Sequence, residues 1–190
     1  MWRRLTKHIL AAALLTLLVP LSVTSMAWAQ EHAQAKGGPQ SRLVDQIRRE
    51  LVTLPFYDVF DWLEGEVRPD GTVVLRGQVV RPTTKSDAEA RIKRIEGVEK
   101  VVNEIEVLPV SPNDDRLRIA LYRAIYNYNS PLFRYATRAV PPIHIIVKNG
   151  RVTLKGVVAT EMDSQLAYTT ARGVPGAFEV ANELRVENSR

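Results

Sequence analysis

Apolar and polar positions alternate with two periods along this chain, and each change of period marks an element. Leu43, Ile47 and Leu51 recur every four residues, which predicts a helix over 42–54, capped by Ser41 and stopped by Pro55. Residues 56–67 read as a strand with Leu63, Gly65 and Val67 on one face. Arg68-Pro69-Asp70-Gly71 predicts a hairpin turn, because Asp-Gly accepts the positive φ of a tight reversal. Val73, Leu75, Gly77 and Val79 then alternate along a returning strand over 72–80. A second helix is started by Thr84 and Asp87, buries Ala88, Ile92 and Ile95, and takes Gly97 as its left-handed C-terminal cap. A third strand over 100–107 sets Val101, Asn103, Ile105 and Val107 on one side.

The same order follows again. Asp114 or Asp115 caps a helix whose stripe is Leu117, Leu121, Ile125 and Tyr128. Ile143, Ile145 and Val147 form a strand, Asn149-Gly150 a turn, and 151–159 the return. Thr160 and Asp163 start a helix that ends near Gly173 and Pro175, and 179–186 is the last strand. The recurrence extends to identity: residues 70–107 lie over 149–186 without a gap, and 11 of the 38 positions match. Gly71, Val73, Leu75, Gly77 and Val79 fall on Gly150, Val152, Leu154, Gly156 and Val158, while Gly97, Asn103 and Glu104 fall on Gly176, Asn182 and Glu183. One small unit is therefore built twice. The expected fold class is α+β: two tandem αββαβ units, each a three-stranded mixed sheet packed by two helices.

Composition changes the picture at the N-terminus. Arg3, Arg4 and Lys7 precede an apolar run over 9–21, and Ala27-Trp28-Ala29 supplies a small-x-small cleavage pattern. Residues 1–29 are expected to be a signal peptide cleaved before about Gln30, and the run is shorter than the ~20 residues a bilayer span needs. Arg3-Arg4 also raises a twin-arginine route, although the residues after it fit that pattern poorly. Residues 30–40, with Gly37-Gly38-Pro39, read as a flexible tether, leaving units at 41–108 and 113–187. Without the leader, Lys+Arg falls from 26 to 23 against 21 Asp+Glu, so the net charge drops from +5 to about +2. So small a charge does not point to nucleic acid, and the GXXG loop that KH-type RNA binding requires is missing. There are no cysteines, which excludes disulfides, thiolate metal sites and cysteine nucleophiles.

Gly71-Thr72-Val73-Val74-Leu75-Arg76-Gly77, followed by Gly97-Val98 and Val101-Val102-Asn103-Glu104-Ile105, resembles the BON domain, named for bacterial osmotically inducible and nodulation-related proteins. Gly150-Arg151-Val152-Thr153-Leu154-Lys155-Gly156, Gly176 and Val180-Ala181-Asn182-Glu183-Leu184 carry the resemblance a second time. It implies a periplasmic, non-enzymatic tandem protein that binds phospholipid at the cell envelope and supports membrane integrity under stress. The chain departs from the pattern in a longer segment at 57–62 and an insertion at 130–142. It also lacks the lipobox cysteine of some relatives, which favours reversible over permanent attachment.

Candidate chemistry is sparse. His32 falls in the tether, and His144 alternates away from the Ile143/Ile145/Val147 face, which predicts an exposed or half-buried side chain. No second histidine or cysteine could share a metal with it, so no metal, cofactor or catalytic residue is expected. The pairs Asp58/Asp61, Glu64/Glu66 and Asp114/Asp115 read as solvated charge or capping. Gly71, Gly77, Gly97, Gly150, Gly156 and Gly176 read as structural, with a helix packed across Gly77 and Gly156. Asn103 and Asn182 are expected to tie down neighbouring backbone.

One region has the chemistry of a lipid headgroup layer. Arg118, Tyr122 and Tyr126 follow one helix face at four-residue spacing, with Arg123 at its border. Ser130-Pro131 then starts a short helix carrying Phe133, Arg134, Tyr135 and Arg138. Arginine meets phosphate while aromatic rings sit at the interface, so Arg118, Tyr122, Arg123, Tyr126, Phe133, Arg134 and Tyr135 form the candidate site for an anionic phospholipid surface. The same aromatics would also serve to cover a core or the junction between units. The alternative partner is an envelope protein, held in an adaptor role through a sheet edge or the groove between units.

Overall fold

A computed structural model describes residues 38–187. The leader, His32 and most of the tether lie outside the described residues. Helix α1 (Pro39–Val52) leads into strands β1 (Trp62–Val67) and β2 (Thr72–Val79), helix α2 (Pro82–Ile92), and short strands β3 (Lys100–Asn103) and β4 (Glu106–Val107). The second half runs from helix α3 (Pro112–Ile125) through a 3-10 turn (Pro131–Tyr135) to β5 (Ile143–Lys148), β6 (Arg151–Val158), α4 (Glu161–Arg172) and β7 (Glu179–Val186). Each sheet has its second strand in the middle, antiparallel to the first and parallel to the last. The α+β expectation of two αββαβ units holds, and each sheet buries one face under its two helices. One core gathers Ile47, Leu51, Val73, Leu75 and Ile92; the other gathers Leu121, Ile125, Ile145, Leu154 and Ala171.

Several elements begin or end elsewhere than the pattern suggests. Helix α1 starts at Pro39, two residues inside the expected tether, since proline suits a first helical turn. Residues 56–61 are turns, and β1 begins only at Trp62. Helix α3 is capped by Ser111, whose hydroxyl accepts the Asp114 amide at 3.2 Å. Asp114 instead accepts the amides of Asn149 and Gly150 at 2.8 and 2.9 Å, fixing the second hairpin turn. Helix α2 starts at Pro82 without a side-chain cap, and its Thr84 is buried. It ends at Ile92, so Gly97 belongs to the following turn rather than to the cap. The third strand is split in two at 104–105, where the Asn103 side chain accepts the Ile105 amide at 3.2 Å. Asn103 also donates to the Lys85 carbonyl at 3.1 Å, the tie expected of it, and Asn182 donates to the Ser164 hydroxyl at 2.9 Å and to the Ser164 carbonyl at 3.5 Å.

Gly77 and Gly156 are required by a neighbouring strand, and not by a helix as the sequence pattern suggests. Both have positive φ, +123° and +126°, and a Cβ would lie 1.9 Å from the Trp62 carbonyl oxygen and 1.8 Å from that of Pro142. The antiparallel neighbour strand, paired through Leu63 and Ile143, brings the preceding carbonyl against each glycine, a contact only glycine allows.

The two halves meet through the longer segment at 57–62. The Val59 carbonyl accepts the Ile145 amide at 2.8 Å, so this segment lies along the outer edge of β5. His144 is buried, contrary to its expected exposure, with its ring 5.6 Å from that of Tyr57 and 5.1 Å from that of Trp62. The sheet face opposite the helices is thus covered by the first half, which alternation along one strand does not reveal. Asp61, also buried, accepts the Val80 amide at 2.7 Å and the Asp58 amide at 3.3 Å. Lys148 and Glu106 form an ion pair at 2.5 Å across the same junction.

Two outcomes are expected. Gly156→Ala should destabilise the protein by roughly 2–4 kcal/mol, since both φ and the Pro142 carbonyl oppose a side chain. Gly173→Ala, at a right-handed cap with its nearest atom 3.5 Å away, should stay within about 1 kcal/mol of wild type in urea denaturation. The second outcome concerns pH. Burial lowers the His144 imidazole to about 4, and burial raises the Asp61 carboxyl to about 6 against the Val80 hydrogen bond. Acidification from pH 6.5 to 4 withdraws stability through His144, because the unfolded imidazole binds its proton first. Over about pH 6 to 4 it adds stability through Asp61, because the folded carboxyl binds its proton first. Each contribution reaches about 3 kcal/mol, and the two oppose. Relative to wild type, Asp61→Asn should therefore lose stability on acidification and His144→Phe should gain it, read from urea midpoints across that window.

Candidate functional site

Helix α3 and the segment after it carry all seven candidate residues, and the fold divides them by role. Arg118 is only 3% exposed. Its guanidinium donates to the Val147 carbonyl at 2.8 Å and pairs with Asp115. Tyr126 is buried, and its hydroxyl both donates to the Ile143 carbonyl at 2.8 Å and accepts the Ile143 amide at 3.1 Å. Burial raises this phenol well above its usual range, so it stays neutral and keeps its donor. The buried Tyr135 hydroxyl accepts the Ala159 amide at 2.8 Å and donates to Asp163 at 3.0 Å, joining the end of β6 to the start of α4. These three residues hold strands in place and offer no surface to a membrane, which corrects their assignment as headgroup contacts.

Arg134 is half exposed but committed: it pairs with Asp163 and stacks on the Tyr135 ring at 4.9 Å. Burial would raise the Asp163 carboxyl, but hydrogen bonds from Thr160 and Tyr135 and the Arg134 charge outweigh it and hold the group below its ordinary range. Tyr122 is half-buried between the rings of Phe60 and Tyr126, at 6.2 and 5.1 Å. Arg123 and Phe133 are exposed, and Arg123 has no ion pair among the described residues.

Phe133 has a partner that the helical stripe misassigned. Tyr128 belongs to the expected core stripe, yet it is 80% exposed, with its ring edge-on to Phe133 at 5.1 Å. Helix α3 stops at Ile125 because Asn127 takes over: its side chain accepts the Asn129 amide, and its carbonyl accepts the Ser130 amide, both at 2.8 Å. Ser130 then caps the 3-10 turn by accepting the Leu132 amide, as its pairing with Pro131 predicts. The run Asn127-Tyr128-Asn129-Ser130-Pro131 is turn chemistry, the signal that would have released Tyr128 from the helix.

A groove of about 930 Å³ runs between the halves, along the outer edge of β1, with Val44, Leu51, Val52, Trp62, Val157 and His144 in its walls. The acidic pairs are occupied by structure: Asp58 accepts the Phe60 amide, Glu64 accepts the Trp62 indole N–H, and Glu66 pairs with Arg76. Among the described residues, no cluster of three or more His, Asp or Glu side chains is arranged to hold a metal ion, and no helix is long and apolar enough to cross a membrane.

Comparison with known proteins bears on this geometry directly. The BON domain pattern matches residues 42–109 and 133–188, more than half of the chain, and covers both sheets. Comparison with curated proteins gives no match. Among solved structures, the chain is similar to CdsD, a structural protein of the type III secretion system of Chlamydia trachomatis, at 11% identity and TM-score 0.32 over 78% of this chain and 94% of that one. It is similar also to the C-terminal domain of CdsD, at 11% identity and TM-score 0.29 over 77% of this chain and 98% of that one. With two copies of the BON pattern lying on two αββαβ sheets, the chain belongs to the BON domain family.

Proposed function

We propose that this is a non-enzymatic, exported tandem-BON protein that attaches weakly and reversibly to anionic phospholipid at the cell envelope and supports membrane integrity there. Its units are taken as 41–108 and 113–187, behind a leader over 1–29 that is removed on export to the periplasm. The observation that carries the lipid reading is the solvent-facing ring pair Tyr128–Phe133 at the end of α3. Two large rings held edge-on, with nothing of the described chain over Tyr128, suit the interfacial layer of a bilayer. Arg123 and Arg138, exposed and with no ion pair among the described residues, supply phosphate contacts; the buried Arg118, Tyr126 and Tyr135 do not take part.

The magnitudes describe a weak contact. Two arginines near an anionic surface give roughly 2 kcal/mol. Partial burial of the two rings adds roughly 3 kcal/mol, giving a sub-millimolar affinity that salt reduces. The adaptor reading keeps one observation of its own, the uncovered outer edge of β1.

In co-sedimentation, the protein should pellet with phosphatidylglycerol vesicles, far less with phosphatidylcholine, and less again in high salt. Tyr128→Ala with Phe133→Ala should reduce pelleting at least about fivefold, consistent with the loss of 1 kcal/mol or more. Equal pelleting with neutral and anionic vesicles, or unchanged binding by the double variant, would refute the lipid reading.

A further inference from the structure

The two sheets present equivalent outer edges, and only one of them is closed. In the second hairpin Lys148 faces Arg151 across a two-residue turn, so Ile143, Ile145 and Val147 direct their backbone groups outward. Four of those groups are taken: the Ile143 amide and carbonyl by Tyr126, the Ile145 amide by Val59, and the Val147 carbonyl by Arg118. In the first hairpin the Arg68 amide donates to the Thr72 carbonyl at 2.8 Å, which sets the parity. Glu66, Glu64 and Trp62 bond to β2, and Leu63, Gly65 and Val67 face outward. The Tyr57 hydroxyl lies against the Leu63 backbone, but the outward groups of Gly65 and Val67 meet no partner among the described residues.

The helix beside each edge explains the difference. The stripe Leu43, Ile47, Leu51 matches Leu117, Leu121, Ile125 at a constant offset of 74. At that offset Arg118 corresponds to Val44, and Tyr126 to Val52. The two polar side chains that close the β5 edge are thus valines beside β1. Neither can hydrogen-bond, and both stand exposed, at 42% and 48%, in the wall of the 930 Å³ groove. Arg48 and Arg185 line the groove with no ion pair among the described residues; of the carboxylates in its walls, Glu64 is held by the Trp62 indole and Glu66 by Arg76, which leaves Glu187.

We propose that the outer edge of β1 is a peptide-binding site, which takes an extended acidic segment of a partner protein as an added strand. Backbone bonds to Gly65 and Val67 hold the segment. Its apolar side chains, at alternate positions, pack on Val44 and Val52, and acidic residues between them meet the arginines. About six residues span the edge at roughly 3.3 Å each. A second copy of this chain fits poorly, because its own β1 is set back in the same groove. This site is separate from the Tyr128–Phe133 pair, and it gives the adaptor reading a defined surface.

The probe is a synthetic eight-residue peptide of alternating valine and glutamate, titrated into the isotope-labelled full chain. The amide resonances of Gly65 and Val67 should shift saturably at sub-millimolar peptide. The same peptide N-methylated at alternate residues should bind at least tenfold more weakly. Val44→Arg with Val52→Tyr, which installs the closing side chains of the second half, should abolish binding while thermal unfolding confirms a folded protein; Arg48→Glu with Arg185→Glu should weaken binding at least tenfold. The proposal is overturned if the peptide leaves Gly65 and Val67 unmoved, if the N-methylated peptide binds equally well, or if only phosphatidylglycerol vesicles shift these resonances. Concentration-dependent shifts without peptide, accompanied by a dimer in sedimentation, would overturn it in favour of self-association. Loss of vesicle binding by the ring-pair variant leaves these outcomes unchanged, so the two sites fail independently.

Discussion

The outer edge of a β-sheet is a row of backbone donors and acceptors that must be hydrated, paired or covered. In the second half of this chain, covering that edge decides the roles of the surrounding residues. Arg118 and Tyr126 reach β5 from α3, and the segment around Val59 reaches it from the first half. One consequence is that the halves are joined by backbone hydrogen bonding as well as by side-chain contact. Another is that two residues with the chemistry of a headgroup site are consumed internally. An unpaired buried backbone group costs about 1–3 kcal/mol, comparable to what a surface arginine gains at an anionic membrane.

Duplication then makes the halves unequal. Both retain the glycine that admits the carbonyl of the entering strand beside the central one, Gly77 and Gly156, and both retain an asparagine tying the last strand to the second helix. They differ in the first helix, where valines stand in place of the closing arginine and tyrosine. They differ also in the junction, where the half-buried rings of Tyr57 and Trp62 pack on buried His144. A repeat free to vary at the edge and insertion while fixed at its glycines keeps one architecture and offers two different surfaces.

The architecture was legible in the sequence because it rests on periodicity. Alternating apolar residues, paired turn glycines and helical stripes are local signals, and their repetition reinforced each. The roles of polar and aromatic residues were not legible, because these depend on partners far along the chain. Arg118 meets Val147 at a separation of 29 residues and Tyr126 meets Ile143 at 17, so the same face pattern serves a bilayer or a strand edge equally well. His144 alternates onto the polar side of its strand, but that strand is covered on both faces, the second by the other half. Tyr128 keeps the helical spacing but lies past the asparagine that takes over where the helix ends. Only Arg123 and Phe133 among the seven candidates are both exposed and uncommitted to a hydrogen bond or ion pair.

The central claim is that one sheet edge is closed and its counterpart open. Residue-resolved amide hydrogen exchange on the free, full-length protein tests it most directly. The amides of Ile143 and Ile145 should exchange at least about a hundredfold more slowly than those of Gly65 and Val67, as expected for bonded against solvent-facing groups. Comparable protection at all four amides, or rapid exchange at Ile145, would contradict the account.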